Sequence, residues 1–337
     1  MADRYLSALE SEISGHRWSW RPETLYLGGG SPGELACTAL RRLLAATPGN
    51  PWREATIEAP PGCISPEKAA CWRDSGLNRV SIGVQSFVSR ELAKTGRRHS
   101  AAAVEAEIRV LRAAGLDNIN IDLIAGLPGQ TPQTWLESLQ WIERLQVPHV
   151  SVYMLEVDED SRLGREILSG GARYGAPETP SADVCAELYE AAVERLRAMG
   201  IRRYEISNFA QPGFESLHNL TYWRLQPYAA FGADAHSFDG SVRSRNAESP
   251  AEYVARWESG KEARIEAVPA RLDEERFFVG LRLSEGIMPS PEERRVHDAA
   301  IRRLAGAGLV ETEGGVLRLT GRGVLLSNEV FQEFISS

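Results

Sequence analysis

The feature that most constrains the fold is a regular alternation of strand-like and helix-like segments over the first 210 residues. Short apolar runs occur at 24–30, 55–62, 79–87, 118–129 and 149–157, and helical patterns lie at 34–47, 65–76, 100–115, 131–145 and 181–200. This alternation predicts an α/β fold with parallel strands and helices outside them. Because the runs are apolar nearly throughout, we expect both faces of the sheet to be buried.

The pattern changes after about residue 200. A strand and loop are predicted at 201–213, followed by a loop at 218–238 that is rich in aromatic residues and glycine. Two helices, a hairpin around Gly314-Gly315 within 308–323 and a final helix then follow. We therefore predict three parts: a partial βα barrel at 1–210, an aromatic and glycine-rich extension at 211–265, and a small winged-helix-like module at 266–337.

Charge and cysteine content exclude several classes of protein. The 337 residues carry a net charge of −8 with both signs interspersed, which argues against a nucleic-acid surface. No apolar run approaches the roughly 18 residues of a membrane helix, and the charged N-terminus is not a secretory signal. The spacings of Cys37, Cys63, Cys71 and Cys185 fit no metal motif and no compact disulfide framework. We expect a cytoplasmic protein with ordinary buried thiols.

The chain opens with a helical pattern, Tyr5 to Ile13, ahead of its first strand. A βα series normally opens with a strand. We therefore expect the strand at 24–28 to lie at an exposed sheet edge without its usual neighbour. The alternative is a fold that simply begins with a helix.

Polar or glycine residues follow four successive strands of the predicted sheet. The first strand ends in Gly28-Gly29-Gly30-Ser31, and the next three end near Glu58, Gln85 and Asp122. Each feature alone is more often structural than functional. Since ligands of parallel βα folds bind at the carboxyl ends of the strands, four in succession favour a shared site.

The glycine run does not have the features of a phosphate cradle. It lacks the spacing of G-x-G-x-x-G and the lysine of a P-loop. Open backbone groups beside Glu58 and Asp122 suit a ligand with an ammonium group and hydroxyls. Gln85 can donate and accept, and Arg97 offers a fork for a carboxylate. S-adenosylmethionine is one ligand with these groups, although the residues do not single it out.

A set of motifs in fixed order carries a resemblance to a known family. The segments are "LYLGGGSP", "IEAPPG", "RVSIGVQSF", "TGRRHS", "NINIDLIAGLPGQT", "RYEISNFA", "HNLTYW" and "GADAHSF". In this order they resemble the HemW-like heme chaperones, relatives of the oxygen-independent coproporphyrinogen III oxidases in the radical S-adenosylmethionine superfamily. The resemblance covers residues 1 to 337.

The resemblance implies a partial (βα)6 barrel that carries a [4Fe-4S] cluster and S-adenosylmethionine. Gly29 and Gly30 match the glycines that meet the methionyl amino group. The other matched cofactor-binding positions are Ser31, Glu58, Gln85, Arg97 and Asp122. No catalytic residue and no metal ligand is assigned in this chain.

The chain departs from the family at the cluster. The family holds it with Cys-x3-Cys-x2-Cys after the first strand, and no such motif occurs here. That strand precedes a helix resembling "DRYLSALESEI", so the missing strand and cysteines are expected to be one missing segment. We expect a start-site assignment or an artificial truncation to be the cause; the alternative is a genuine cluster-less relative.

Three functions remain open at this point. The resemblance favours a heme chaperone that binds heme and passes it to apo-hemoproteins, with membrane association only through an acceptor. The alternatives are an oxygen-independent coproporphyrinogen III oxidase, which would be an enzyme, and a cluster-less barrel with a binding role.

The heme ligand is not assigned from the sequence. His218 and His236 lie in motif-bearing loops, but each is more often a structural hydrogen-bonding group than an axial ligand. The aromatic residues nearby are expected to pack rather than to floor a heme cleft; they are Tyr222, Trp223, Tyr228 and Phe231.

Overall fold

The computed structural model of the protein describes residues 1–157 and 161–335. The chain forms two compact units. Unit 1 comprises Met1–Thr24, Ala36–Arg53 and Ser216–Ser337, and unit 2 comprises Leu25–Leu35 and Glu54–Glu215. The predicted 1–210 segment is thus divided between the two units, and the three-part division stays a prediction. Residues 336 and 337, which end the predicted C-terminal module, lie outside the described residues.

Of the described helices, the first two and the last six belong to unit 1, and the six between them belong to unit 2. In chain order they are α1 (Ala2–Gly15), α2 (Cys37–Ala46), α3 (Pro66–Asp74), α4 (Ser89–Lys94), α5 (Ala101–Ala113), α6 (Pro132–Leu145), α7 (Arg162–Leu168), α8 (Ala182–Ala198), α9 (Leu217–Trp223), α10 (Pro250–Glu258), α11 (Leu272–Gly280), α12 (Pro291–Gly306), α13 (Gly321–Leu325) and α14 (Ser327–Gln332). Short 3-10 turns lie at Pro32–Glu34 and Arg173–Glu178.

The strands of the described residues form three sheets. They are β1 (Thr24–Leu27), β2 (Glu54–Ala59), β3 (Arg79–Gln85), β4 (Asn118–Ala125), β5 (His149–Met154), β6 (Arg202–Arg203), β7 (Asn208–Ala210), β8 (His236–Phe238), β9 (Val242–Asn246), β10 (Arg264–Pro269), β11 (Val310–Glu313) and β12 (Val316–Leu319).

The main sheet has seven strands in the order β1-β2-β3-β4-β5-β7-β6. Strands β2 to β5 pair in parallel, whereas β7 runs antiparallel to β5 and to β6. The predicted mostly parallel α/β sheet is therefore confirmed. Strand β1 lies at one edge of it, as expected.

Side-chain caps explain where the helices of unit 2 begin. Ser65, Ser100, Thr131 and Ser181 each accept a hydrogen bond from a backbone N–H in the first turn of α3, α5, α6 and α8. These bonds satisfy donors that a helix start otherwise leaves unpaired. The sequence placed all four of these helices correctly, but it missed the short helices α4 and α7.

Both faces of the central strands are buried, as expected, but the two faces differ in polarity. One face is apolar and fully buried, with Val80, Ile82, Ile119, Ile121, Val150 and Val152. The opposite face is buried as well, but it carries Arg79, Ser81, Asn120, His149 and Ser151. Successive side chains alternate between the faces of a strand, so each run supplies one apolar and one polar surface.

In unit 1, the carboxylate of Glu12 on α1 binds three other segments. It accepts hydrogen bonds from Gly232 N, from Tyr253 Oη at 2.6 Å and from Asn246 Nδ2 at 2.7 Å. A carboxylate with several donors fixes the segments of Gly232, Asn246 and Tyr253 to α1.

Strands β8, β9 and β10 form a separate antiparallel sheet.

Two predictions for the later part of the chain have different outcomes. The predicted hairpin is present: β11 pairs antiparallel with β12, and both glycines of its turn, Gly314 and Gly315, have positive φ. The predicted loop at 218–238 is wrong at its start, because α9 occupies Leu217–Trp223. Its N-cap Ser216 accepts a hydrogen bond from Asn219 N. This helix start was not recognised in the sequence because the segment was interpreted as a loop from its aromatic and glycine content.

The expectation of four ordinary thiols is also wrong. Cys37 and Cys71 are disulfide-bonded, whereas Cys63 and Cys185 are free. Burial is the main reason why the pKa of Cys63 rises to about 11. Among the described helices, none combines the length and the apolar character that crossing a bilayer requires.

Candidate functional site

The loop after β1 approaches β2 so closely that its backbone has little alternative to glycine. A Cβ on Gly33 would lie 2.9 Å from the Cβ and 3.0 Å from the Cα of Ala59. Lys68 Nζ donates to the Gly33 carbonyl at 2.7 Å. At Gly29, where φ is +76°, and at Gly30 a Cβ would meet no atom within 4 Å. At Gly29 and Gly30 the exposed turn therefore presents bare backbone to open space, as a ligand cradle requires.

Glu58 on β2 lies directly beside this turn. Tyr26 Oη donates to Glu58 Oε1 at 2.7 Å, and the backbone N–H of Gly29 also donates to the carboxylate. Burial has the largest effect on the pKa of Glu58 and raises it, and the charge of Asp122 raises it further. The hydrogen bonds from Tyr26 and from the Gly29 N–H lower it. A carboxylate with these partners keeps its position but binds protons more readily than an exposed glutamate.

Gln85 and Arg97 meet over Gly83 in β3. Arg97 Nη1 donates to the Gly83 carbonyl at 2.8 Å. A Cβ on Gly83 would lie 3.2 Å from Gln85 Nε2 and 3.9 Å from Arg97 Nη1. Gln85 itself has φ of 70°, a left-handed conformation that costs energy for a residue other than glycine. Burial lowers the pKa of Arg97, and the charge of Asp122 raises it.

Asp122 on β4 accepts hydrogen bonds from side chains on its own strand and both neighbours. Asn120 Nδ2 donates to Oδ1 at 2.7 Å and Ser81 Oγ donates to Oδ2 at 3.2 Å. Burial raises the pKa of Asp122, and the hydrogen bonds from Ser151, Asn120 and Ser81 and the charge of Arg79 oppose that rise. The pKa of Asp122 is therefore raised on balance, while its hydrogen-bond donors and Arg79 favour the ionised form.

The structure brings the predicted polar positions together at one edge of the sheet. Glu58, Gln85, Arg97 and Asp122 are all half-buried. The charge of Asp122 acts on both Glu58 and Arg97. Ser31 is exposed, begins the 3-10 turn Pro32–Glu34 and makes no side-chain cap there. Sequence reasoning missed Tyr26, Asn120 and His149; the signal for them was the two-residue spacing of polar side chains within apolar runs.

The residues at this edge fit an amino acid ligand but not an iron–sulfur cluster. Two carboxylates, an arginine and an open glycine backbone offer partners for ammonium, hydroxyl and carboxylate groups. Within residues 1–157 and 161–335, no group of three or more His, Cys, Asp or Glu side chains is arranged to hold a metal ion. Since a cluster needs several converging thiolates, the free thiols of Cys63 and Cys185 do not supply them.

Both motif-bearing histidines are in unit 1. His218 Nδ1 lies 2.9 Å from Thr24 Oγ1, and its Nε2 lies 2.7 Å from Tyr222 Oη. The ring of Tyr222 packs edge-on against Tyr228 with centroids 4.6 Å apart. His236 is exposed, with Nε2 3.7 Å from Asp234 Oδ1. The contacts of His218 and Tyr222 agree with the hydrogen-bonding and packing roles favoured from the sequence.

Replacing Gln85 by glycine is expected to separate stability from binding. Gln85→Gly relieves the left-handed strain, so the free energy of unfolding should stay level or rise by up to about 1 kcal/mol. S-adenosylmethionine binding should weaken by roughly ten-fold because a neutral hydrogen-bonding side chain is lost. Urea unfolding and calorimetric titration measure the two quantities.

Gln146 supplies the matched control for that experiment. It also has positive φ, 50°, as the C-cap residue immediately after α6, and its side chain is exposed. Gln146→Gly should raise stability by a similar amount and leave ligand binding unchanged. If both variants bind alike, Gln85 has no part in the site.

Comparison with known proteins places this site in a family context. The Radical SAM superfamily model matches residues 5–142. Heme chaperone HemW of Lactococcus lactis is 32% identical over 99% of this chain and 89% of its own length. Heme chaperone HemW of Bacillus subtilis is 34% identical over 99% and 91%. The solved coproporphyrinogen III oxidase HemN of Escherichia coli, a radical SAM enzyme, superposes with a TM-score of 0.84 at 22% identity, covering 99% of this chain and 83% of that one.

Proposed function

Because the chain belongs to the HemW family of heme chaperones in the radical SAM superfamily, we propose that it binds heme and delivers it to apo-hemoproteins. The observation that carries the proposal is the similarity to HemW proteins over nearly the whole of both chains. The likeness to coproporphyrinogen III oxidase, at 22% identity, supports the radical SAM fold alone.

We further propose that the edge formed by the glycine turn and four side chains binds S-adenosylmethionine. Gly29, Gly30 and Ser31 would surround the methionyl group, with Glu58 beside its ammonium. The remaining contacts are assigned to Gln85, Arg97 and Asp122. The open space over Gly29 and Gly30 and the hydrogen bond from Gly29 to Glu58 support this assignment.

The finer architectural and cellular assignments belong to the same proposal. The parallel sheet at the start of unit 2 would be a partial (βα)6 barrel, and the segment with the β11–β12 hairpin would be a winged-helix-like module. We propose a cytoplasmic location, with heme and an apo-hemoprotein as partners.

A heme-transfer experiment tests the proposed function. The full chain is titrated with hemin, and the loaded protein is mixed with a heme-free b-type hemoprotein while absorption is followed. Transfer should be faster than from heme–albumin at equal heme concentration. Equal rates would reject chaperone activity. Formation of protoporphyrinogen from coproporphyrinogen III in a parallel assay would instead support the oxidase alternative.

Binding of S-adenosylmethionine is expected to weaken as the pH is lowered. The ligand carries a sulfonium and an ammonium charge, so it favours ionised Glu58 and Asp122. Because the pKa of each is raised, protonation begins at a higher pH than for ordinary carboxylates, and affinity is lost as pH falls through these raised values. Calorimetry between about pH 8 and pH 5 should show this loss together with proton release on binding.

The variant Glu58→Gln is the control for the pH experiment. It should bind less tightly at neutral pH and show a shallower dependence on pH, because one of the two titrating carboxylates is gone. A pH dependence identical to that of the wild-type protein would mean that Glu58 does not face the ligand.

A further inference from the structure

A row of hydrogen-bonded side chains lies beneath Asp122 on the polar face of the main sheet. In the strand register Ser81 is beside Asn120, and Asn120 is beside His149. Directly paired residues of neighbouring strands point to the same face. His149 is fully buried, with 0% exposure, and the binding site proposed above leaves it without a role.

The hydrogen bonds of His149 have a fixed direction. Its Nδ1 lies 2.6 Å from Asn120 Oδ1, an oxygen that accepts only, so Nδ1 carries the proton. Its Nε2 lies 3.0 Å from Tyr204 Oη and accepts from that hydroxyl. Burial lowers the pKa of His149 well below its ordinary value, so the ring is neutral and has one N–H to donate.

Asn120 transmits this direction to Asp122. With its oxygen facing His149, its amide nitrogen faces Asp122 Oδ1 at 2.7 Å and Ser81 Oγ at 2.8 Å. If the amide were reversed, its oxygen would face the Asp122 carboxylate oxygen, and the contact between these two acceptors would be repulsive.

We propose that His149 is a positioning residue that, through the amide of Asn120, fixes the orientation of the Asp122 carboxylate for binding the cofactor. The inference rests on the proposed S-adenosylmethionine site at Asp122. In this arrangement the hydrogen-bond donors run in one direction, from Tyr204 through His149 and Asn120 to a carboxylate at the rim. A hydrogen-bond network that only stabilised the interior would not need to end on a carboxylate that is partly exposed at the end of a strand.

Two variants of His149 test the donor role. His149→Leu has a similar volume but no donor, and it should weaken S-adenosylmethionine binding by about ten-fold. His149→Asn places an amide N–H where Nδ1 stands, and it should restore binding to within about two-fold of the wild-type protein. Equal binding by the leucine variant and the wild-type protein would overturn the inference.

A double-mutant cycle separates positioning from general stability. If His149 acts through Asp122, the effect of His149→Leu on binding should disappear in the Asp122→Asn background. An equal loss of binding in both backgrounds would show that the leucine variant acts by loosening the fold, and the inference would be wrong. Thermal unfolding of each variant shows which of them remain folded.

A readout without cofactor keeps the inference testable if the leucine variant does not fold. Nitrogen-15 NMR of the ligand-free wild-type chain should show His149 protonated at Nδ1, and Tyr204→Phe should shift the population towards the Nε2 form. A wild-type His149 protonated at Nε2 would overturn the inference regardless of binding. If the tautomer is as expected but the wild-type protein does not bind S-adenosylmethionine, the proposed site fails and the positioning role fails with it.

Discussion

Asp122→Asn is expected to reduce S-adenosylmethionine affinity by at least about thirty-fold, because loss of a partly desolvated charge partner costs roughly 2 kcal/mol or more. The same substitution should leave the free energy of unfolding unchanged or raise it slightly at pH 7. Burial raises the pKa of Asp122, so the surroundings of this side chain in the folded protein disfavour its ionised form.

The sign of the stability effect follows from proton linkage. A carboxyl group with a raised pKa in the folded state destabilises the fold as the pH rises from its ordinary value through the raised one. Asparagine cannot ionise, so it removes this loss above the raised pKa. It can also keep the bond from Asn120 Nδ2 by accepting with its own oxygen.

Urea unfolding and calorimetric titration of the same preparations measure both effects. Asp117→Asn is the matched control, because Asp117 immediately precedes β4 and is exposed. The control should change neither quantity. The net contribution of one hydrogen bond to stability is about 1 kcal/mol. A loss of stability well above about 1 kcal/mol in Asp122→Asn, without a binding defect, would therefore show that Asp122 is a structural group.

The order of elements in unit 2 was predictable because local signals agree there. Each helix of unit 2 that the sequence placed correctly starts at a serine or threonine whose side chain caps the first turn. The β11–β12 hairpin was predictable for the same reason: adjacent glycines are the residues that adopt positive φ in a two-residue turn.

The polar face of the sheet was not recognised, although its residues are visible in the sequence. The run at 118–125 reads as apolar because Ile119, Ile121 and Leu123 dominate it. Asn120 and Asp122 occupy the alternate positions, and their role depends on Ser81 and His149 from neighbouring strands. Such a cross-strand network is a product of register, which the sequence of one strand does not contain.

The candidate site was only partly predictable for a related reason. Strand ends gave Glu58, Gln85 and Asp122 because topology brings the carboxyl ends of parallel strands to one edge. The strand ends did not predict the left-handed backbone of Gln85 or the hydrogen bond between Tyr26 and Glu58. Both depend on how the glycine turn and β3 bend, which is decided by tertiary contacts.

Anaerobic reconstitution of the present chain with iron and sulfide is expected to give no stoichiometric [4Fe-4S] cluster. Such a cluster needs several thiolates in one small volume. Here Cys37 and Cys71 are disulfide-bonded. The remaining thiols lie apart in the chain, Cys63 after β2 and Cys185 in α8, and burial raises the pKa of both. Raised pKa values disfavour the thiolate form that binds iron.

The absence of a cluster should be nearly complete in two independent measurements. Iron and sulfide analysis should find far less than one cluster per chain, and incubation with S-adenosylmethionine and a strong reductant should yield no 5′-deoxyadenosine. The control is the same chain extended at its N-terminus by a segment with Cys-x3-Cys-x2-Cys, which should gain both the cluster and the cleavage product. A stoichiometric cluster in the unextended chain would contradict the prediction and would require thiolates from a second copy. Failure of the extended chain would mean that residues other than the cysteines also prevent the cluster from forming, and heme transfer would then have to be explained without it.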